Sequence, residues 1–249
     1  MTARRLAPIA AILVAASLAA CSPSAAQSDS KPSAPAASVG TSDASAGASP
    51  SAAPGAPAGG SGLSLSEAIA KIPAADENRT GYKRDSFRHW IDEDGDGCNT
   101  RQEVLLAEAT KKPEQGTRCA LTGGEWLSYY DEVTVTDAKG LDIDHVVPLA
   151  EAWDSGASAW DADRRMRYAN DLGSERSLVA VTAKTNRSKA DKDPADWMPP
   201  AESAKCTYLA DWTATKLRWK LTADDKERSA LEELAKGCTA AVVKYEVAP

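Results

Sequence analysis

The sequence predicts an α+β, mainly helical single domain with two disulfides, built around a β-hairpin and the helix that follows it. Three observations lead there. Tyr208, Trp212, Thr215 and Trp219 recur at i, i+4, i+7 and i+11, one face of a helix. Two β-branched runs, residues 133–136 and 141–147, flank the turn at 137–140, the pattern of a hairpin. Cys98, Cys119, Cys206 and Cys238 contain no C-x-x-C pair, so disulfides are expected ahead of a four-cysteine zinc site.

Composition narrows the class further. The chain has 249 residues, 43% hydrophobic and 26% charged, which excludes a wholly disordered chain, a coiled coil and a polytopic membrane protein. Its net charge of -7 rules out general basicity as the route to a nucleic-acid partner. His89 and His145 are the two histidines, so a zinc site made of several histidines is impossible.

The order of the chain reads as follows. Residues 1–21 are a lipoprotein signal peptide: Arg4 and Arg5, an apolar run, then Leu18-Ala19-Ala20-Cys21, a lipobox whose cysteine takes the lipid. Lipid on Cys21 would hold the protein at the extracellular face of the cell membrane. Residues 22–62 are Ser, Ala, Pro and Gly, too poor in large apolar side chains to offset ordering entropy, hence a disordered tether. Residues 63–249 form the domain, expected as a monomer.

Within it, Ser64 and Glu67 are a capping box for a helix over 66–72. Residues 85–91 read as a helical turn or two, 92–97 as an acidic loop and 101–110 as a helix. The hairpin follows, its second strand stopped by Pro148. Helices are expected over 149–153 and 158–170, the latter with Ser158 and Asp161 as cap signals. Residues 178–182 are a short apolar strand and 183–189 a helix. Two helices close the chain, the aromatic stripe in the first facing the core and the second burying Leu231 and Leu234. Cys206 begins the first and Cys238 ends the second, so an antiparallel pair would join them, leaving Cys98 to Cys119.

Asp144 and His145 carry the chemistry. Phosphodiester hydrolysis needs a base for water and a cation for the phosphate; His145 fits the first role and Asp144 can ligate the second. Adjacent strand residues face opposite ways, so both reach one site only where the strand ends. Upstream, Asp92, Asp94, Asp96, Gly97 and Glu103 follow the spacing of a calcium loop, with a merely acidic loop as the alternative. His89, just before it, is a packed or hydrogen-bonded histidine ahead of a catalytic one.

Taken together, residues 144–149, 152–157, 168–172, 186–189 and 193–200 resemble the secreted HNH-family endonucleases of actinobacteria. These are relatives of the C-terminal domain of the GmrS/GmrD modification-dependent restriction enzyme. Phe87-Arg88-His89-Trp90, Cys98-Asn99-Thr100-Arg101 and Cys206-Thr207-Tyr208 fit the same group, so the resemblance spans roughly residues 80 to 240.

It implies a ββα-metal core, with His145 as general base, Asp144 and Asn186 as metal ligands, and Arg187 and Lys189 near the phosphates. The cation would be Mg²⁺ or Mn²⁺, with Zn²⁺ as an option, beside structural Ca²⁺ in the acidic loop. The substrate would be nucleic acid, DNA ahead of RNA. Ser177 stands where many relatives carry the middle Asn of the motif, and Asn170 is the nearby substitute. Arg164, Arg165, Arg167, Arg176, Lys184 and Lys192 add local basic charge, read equally as a phosphate face or a solvated one. The alternative reading is a non-catalytic, calcium-stabilised surface binding module on a degenerate HNH fold.

Overall fold

The computed structural model describes residues 62–249. The signal peptide, Cys21 and the tether up to residue 61 lie outside them.

The chain opens with β1 (Leu63–Ser64) and α1 (Leu65–Ile69), where Ser64 accepts from the Glu67 amide and Glu67 reaches back, the expected box. A 3-10 turn (Arg84–Ser86) precedes the acidic loop, so 85–91 is mostly irregular rather than helical. Then come α2 (Thr100–Glu108), β2 (Glu114–Gln115), β3 (Leu121–Thr122), β4 (Trp126–Ser128) and β5 (Val133–Val135). The central elements are β6 (Leu141–His145), α3 (Leu149–Asp154), α4 (Ala162–Ala169), β7 (Leu178–Thr182) and α5 (Ala183–Lys189). α6 (Lys205–Trp219), α7 (Asp225–Ala235) and β8 (Val242–Val243) close the chain, β8 pairing with β1.

The expected hairpin is not formed. β5 pairs with β4, and β6 pairs antiparallel with β7, from Leu141 opposite Thr182 to His145 opposite Leu178. The reason is burial: all five β7 residues are buried and match β6 in length, whereas Val133 is exposed. Strand, strand and helix therefore do succeed one another, but with α3 and α4 inserted between the strands. α4 also starts later than expected, at Ala162, because the Asp161 carboxylate caps it and Ser158 lies in a separate 3-10 turn.

The β6–β7 pair divides two cores. Leu141, Ile143, Leu178 and Ala180 pack with Val104, Leu105 and Trp126 on one face. Val179 and Val181, on the other, join the larger core of α1, α6 and α7. Tyr208, Trp212, Thr215 and Trp219 are all buried there, as the stripe required, and Leu231 is buried while Leu234 is partly so. Both disulfides form as expected, Cys98 with Cys119 and Cys206 with Cys238. The outer edge of β7 is closed by side chains: Glu108 accepts from the Ala180 amide and Ser128 Oγ from the Thr182 amide.

Candidate active site

Asp142 and Asp144 share one face of β6, because strand side chains alternate. α5 lies against that face, held at its start by Thr182, whose hydroxyl accepts from the Thr185 amide. Residues three apart on a helix are neighbours. Asn186 Nδ2 thus donates to Asp142 Oδ2 at 3.3 Å, and Lys189 Nζ donates to Asp144 Oδ1 at 3.0 Å. Arg187 lies 3.7 Å from Asp142 and is largely exposed.

Asp144 is buried. Tyr130 donates to its Oδ2 at 2.7 Å, and Lys189, 0% exposed, lies 2.8 Å from the same oxygen. Burial raises the Asp144 pKa and lowers that of Lys189, while their mutual contact opposes both shifts. Lys189 also donates to the His145 carbonyl at 3.0 Å. Lys189, expected near the phosphates, is placed as a buried partner of Asp144, since a buried carboxylate needs a counter-charge.

His145 ends β6, and there the strand's alternation ceases to separate it from Asp144. Its Nε2 lies 3.0 Å from the Ala169 carbonyl. A carbonyl can only accept, so Nε2 carries the proton and Nδ1 keeps the basic lone pair. Burial pushes its pKa down to about 3, so the ring is neutral at physiological pH. The Trp90 ring lies 5.7 Å from the imidazole centroid, and the Tyr168 ring stacks at 6.3 Å.

Trp90 has φ +59°, a conformation that costs energy for a bulky residue. Asn170 holds it there. Its Nδ2 donates to the Arg88 and Met166 carbonyls, and its Oδ1 accepts from the Ile91 amide and the Thr100 hydroxyl. Ser177 faces elsewhere: its hydroxyl donates to Asp171, which also accepts from Arg218 and Trp219. Its carbonyl nevertheless accepts from the Val146 amide, next to His145.

Asp144, His145, Asn186 and Arg187 line one cleft of about 310 Å³, together with Arg84 and Asp191. Of the expected site residues, these four meet at the cleft; Asn170 and Ser177 act behind it. Asp142, Tyr130, Trp90 and Arg84 were not singled out from the sequence. The alternation of β6 points to Asp142, two residues before Asp144; nothing local points to Tyr130. Of the other basic residues, Arg164 stacks on Trp160 and Trp219 and Arg165 on Trp153, so these are structural rather than a phosphate face.

The donors suit a hard cation. Asn186 spends its amide N–H on Asp142, which leaves its carbonyl oxygen as an acceptor. The Asp144 oxygens retain lone pairs beyond those used by Tyr130 and Lys189. An all-oxygen set of this kind matches Mg²⁺ or Mn²⁺ better than Zn²⁺.

In the acidic loop, ligand oxygens of Asp92, Asp94 and Asp96 lie within 4.8 Å of one another, and Glu103 adjoins Asp96. The Glu103 pKa is raised by burial and then by those three carboxylates. A further cluster, Glu77, Glu151 and Glu227, surrounds Lys216, which lies 2.6 Å from Glu151 and 2.8 Å from Glu227. His89 donates from Nδ1 to the Phe87 carbonyl, at 2.9 Å, and sits edge-on to Trp90.

Residues 99–234 match the family described as GmrSD restriction endonucleases, C-terminal domain. The chain belongs to this family. The match spans β6, β7, α5 and every cleft residue named above except Arg84. A relative from the fungus Arthroderma benhamiae, described as an uncharacterized secreted protein, is 41% identical over 182 residues, 73% of this chain and 87% of its own. That kinship is fungal rather than actinobacterial. No solved structure matches the chain.

Proposed function

We propose that this GmrSD-family protein is a metal-dependent, HNH-type endonuclease that hydrolyses phosphodiester bonds of nucleic acid, DNA before RNA, without sequence preference. The observation that carries the reading is the fixed tautomer of His145, with its basic Nδ1 on a ring that lines the same cleft as Asp144 and Asn186. The family's description as restriction endonucleases supports it.

In this reading His145 Nδ1 takes a proton from water, the resulting hydroxide attacks phosphorus, and one P–O ester bond breaks as its oxygen takes a proton from solvent, to which His145 then returns its own. Asp144 and Asn186 would hold the cation, with Asp142 orienting the Asn186 amide. Bound there, a divalent cation supplies charge neutralisation for the phosphate and the leaving oxygen. Lys189 fixes the Asp144 carboxylate and the His145 backbone together. Tyr168 and Trp90 confine the imidazole plane.

The relative's description as secreted supports an extracellular site of action, with Cys21 as a lipid anchor. Calcium in the acidic loop would be structural. One observation favours the non-catalytic alternative: both Asp144 oxygens already have hydrogen-bond donors. Supercoiled plasmid separates the readings. The full-length protein is expected to nick it with Mg²⁺ or Mn²⁺ and to stop on addition of a chelator. An intact plasmid under every divalent cation tried would leave only the binding module.

A further inference from the structure

We propose that Arg84 binds a substrate phosphate in this cleft, facing the scissile group from a part of the chain that precedes the family match. The inference rests on the nuclease reading and adds a substrate contact to it. Its basis is the pairing of charges around the cleft. Asp144 is paired with Lys189, Asp142 with Arg187 at 3.7 Å, and Asp191 with Arg79 at 3.8 Å. Arg84 lines the same cleft, is exposed, and has no carboxylate within ion-pair distance among the described residues. Arg84 is thus the charged side chain of this wall with no ionic partner among the described residues.

Its placement is built, not incidental. The 3-10 turn Arg84–Ser86 is followed by Phe87, which is fully buried and packs edge-on to Trp153 and Tyr168. Tyr168 in turn stacks on His145, so the segment bearing Arg84 and the ring of the base share one support. A guanidinium beside Tyr82 but without a carboxylate partner matches a phosphate's geometry, since its planar fork can hold two non-bridging oxygens. Charge on those oxygens persists through the displacement, so the contact would serve both binding and turnover.

The test uses full-length protein and a fluorescently labelled DNA duplex. Binding is read by anisotropy as a function of salt, with Mg²⁺ present, in a His145→Ala background that prevents turnover. Arg84→Gln, which keeps most of the side-chain stem, is expected to reduce the slope of log K against log salt by about 0.9, one phosphate contact. In the otherwise wild-type chain it should lower kcat/KM at least tenfold, and Arg84→Lys should recover part of the loss. Lys112→Ala, an exposed lysine away from the cleft, should change neither. Wild-type cleavage with Arg84→Gln unchanged in slope and kcat/KM would overturn the Arg84 assignment alone. An equal loss in Lys112→Ala would do the same, because bulk charge would then explain it. A wild type that neither cleaves nor binds with salt dependence would overturn the nuclease reading and this inference together.

Discussion

Lys189 lies 2.8 Å from Asp144, and both are buried. Removing one partner of a buried pair strands the other charge, which typically costs about 3–5 kcal/mol. Lys189→Met should lower stability by about that amount in urea unfolding, whereas Arg187→Ala, at an exposed side chain, should stay within about 0.5 kcal/mol. A Lys189→Met protein as stable as the wild type would show that the ammonium does not hold Asp144.

Asn170 makes four side-chain hydrogen bonds, three of them to the segment around Trp90 and the start of α2. Asn170→Ala should destabilise by at least about 2 kcal/mol, with Ser177→Ala nearer 1 kcal/mol, since it loses a single bond. Trp90 fluorescence is complicated by the other tryptophans, so calorimetry of the two variants is the better comparison. Equal costs would mean that Asn170 does not substitute for the motif's middle Asn as a brace.

The acidic loop predicts a separate cation effect. A ligand bound to the folded state at a hundredfold excess over Kd stabilises by about 2.7 kcal/mol. Protein stripped of metal should melt higher with Ca²⁺, and Asp94→Ala with Asp96→Ala should abolish the gain while leaving Asp144 and Asn186 intact. Melting that ignores Ca²⁺ would reduce the loop to an acidic turn.

The pH dependence of stability follows from buried carboxylates. Burial raises Asp211 and Glu108 to about 7 each. The folded state then keeps protons that the unfolded chain has released, so this stability is present in acid and lost as pH rises through 7. His145 works oppositely, but its contribution is complete above its unfolded value of about 6.5. Burial also raises Glu227 to about 7 and Glu77 to about 8, so between pH 6.5 and 8 the melting temperature should fall, and Asp211→Asn with Glu108→Gln should lessen the decline. A wild-type melting temperature that rises over this window would contradict the assignment.

Much of the architecture was legible where one local cause dominates. The Ser64 capping box, the Asp161 cap, the aromatic stripe of α6 and both disulfides all follow from short-range pattern. The pairing of β6 was not, because strand choice is decided by long-range burial: Val133–Val135 is nearer in sequence, but β7 is the strand the cores enclose. At the candidate site, the linked order of the motifs points to Asp144, His145 and Asn186, and these three line one cleft. The burial of Lys189 was not legible, since a lysine on a short polar helix gives no sign of it until Asp144 is placed beneath it. Arg84 and Tyr130 come from segments whose approach to β6 depends on tertiary packing alone.

The most direct measurement is plasmid nicking by His145→Gln beside the wild type, in Mg²⁺ and in Mn²⁺, with melting curves for both. Gln retains a polar group that can reach the Ala169 carbonyl but cannot accept a proton from water. A general-base role for His145 predicts an unchanged fold and a rate lower by roughly 10²–10⁴. A folded His145→Gln protein that nicks as fast as the wild type would contradict it.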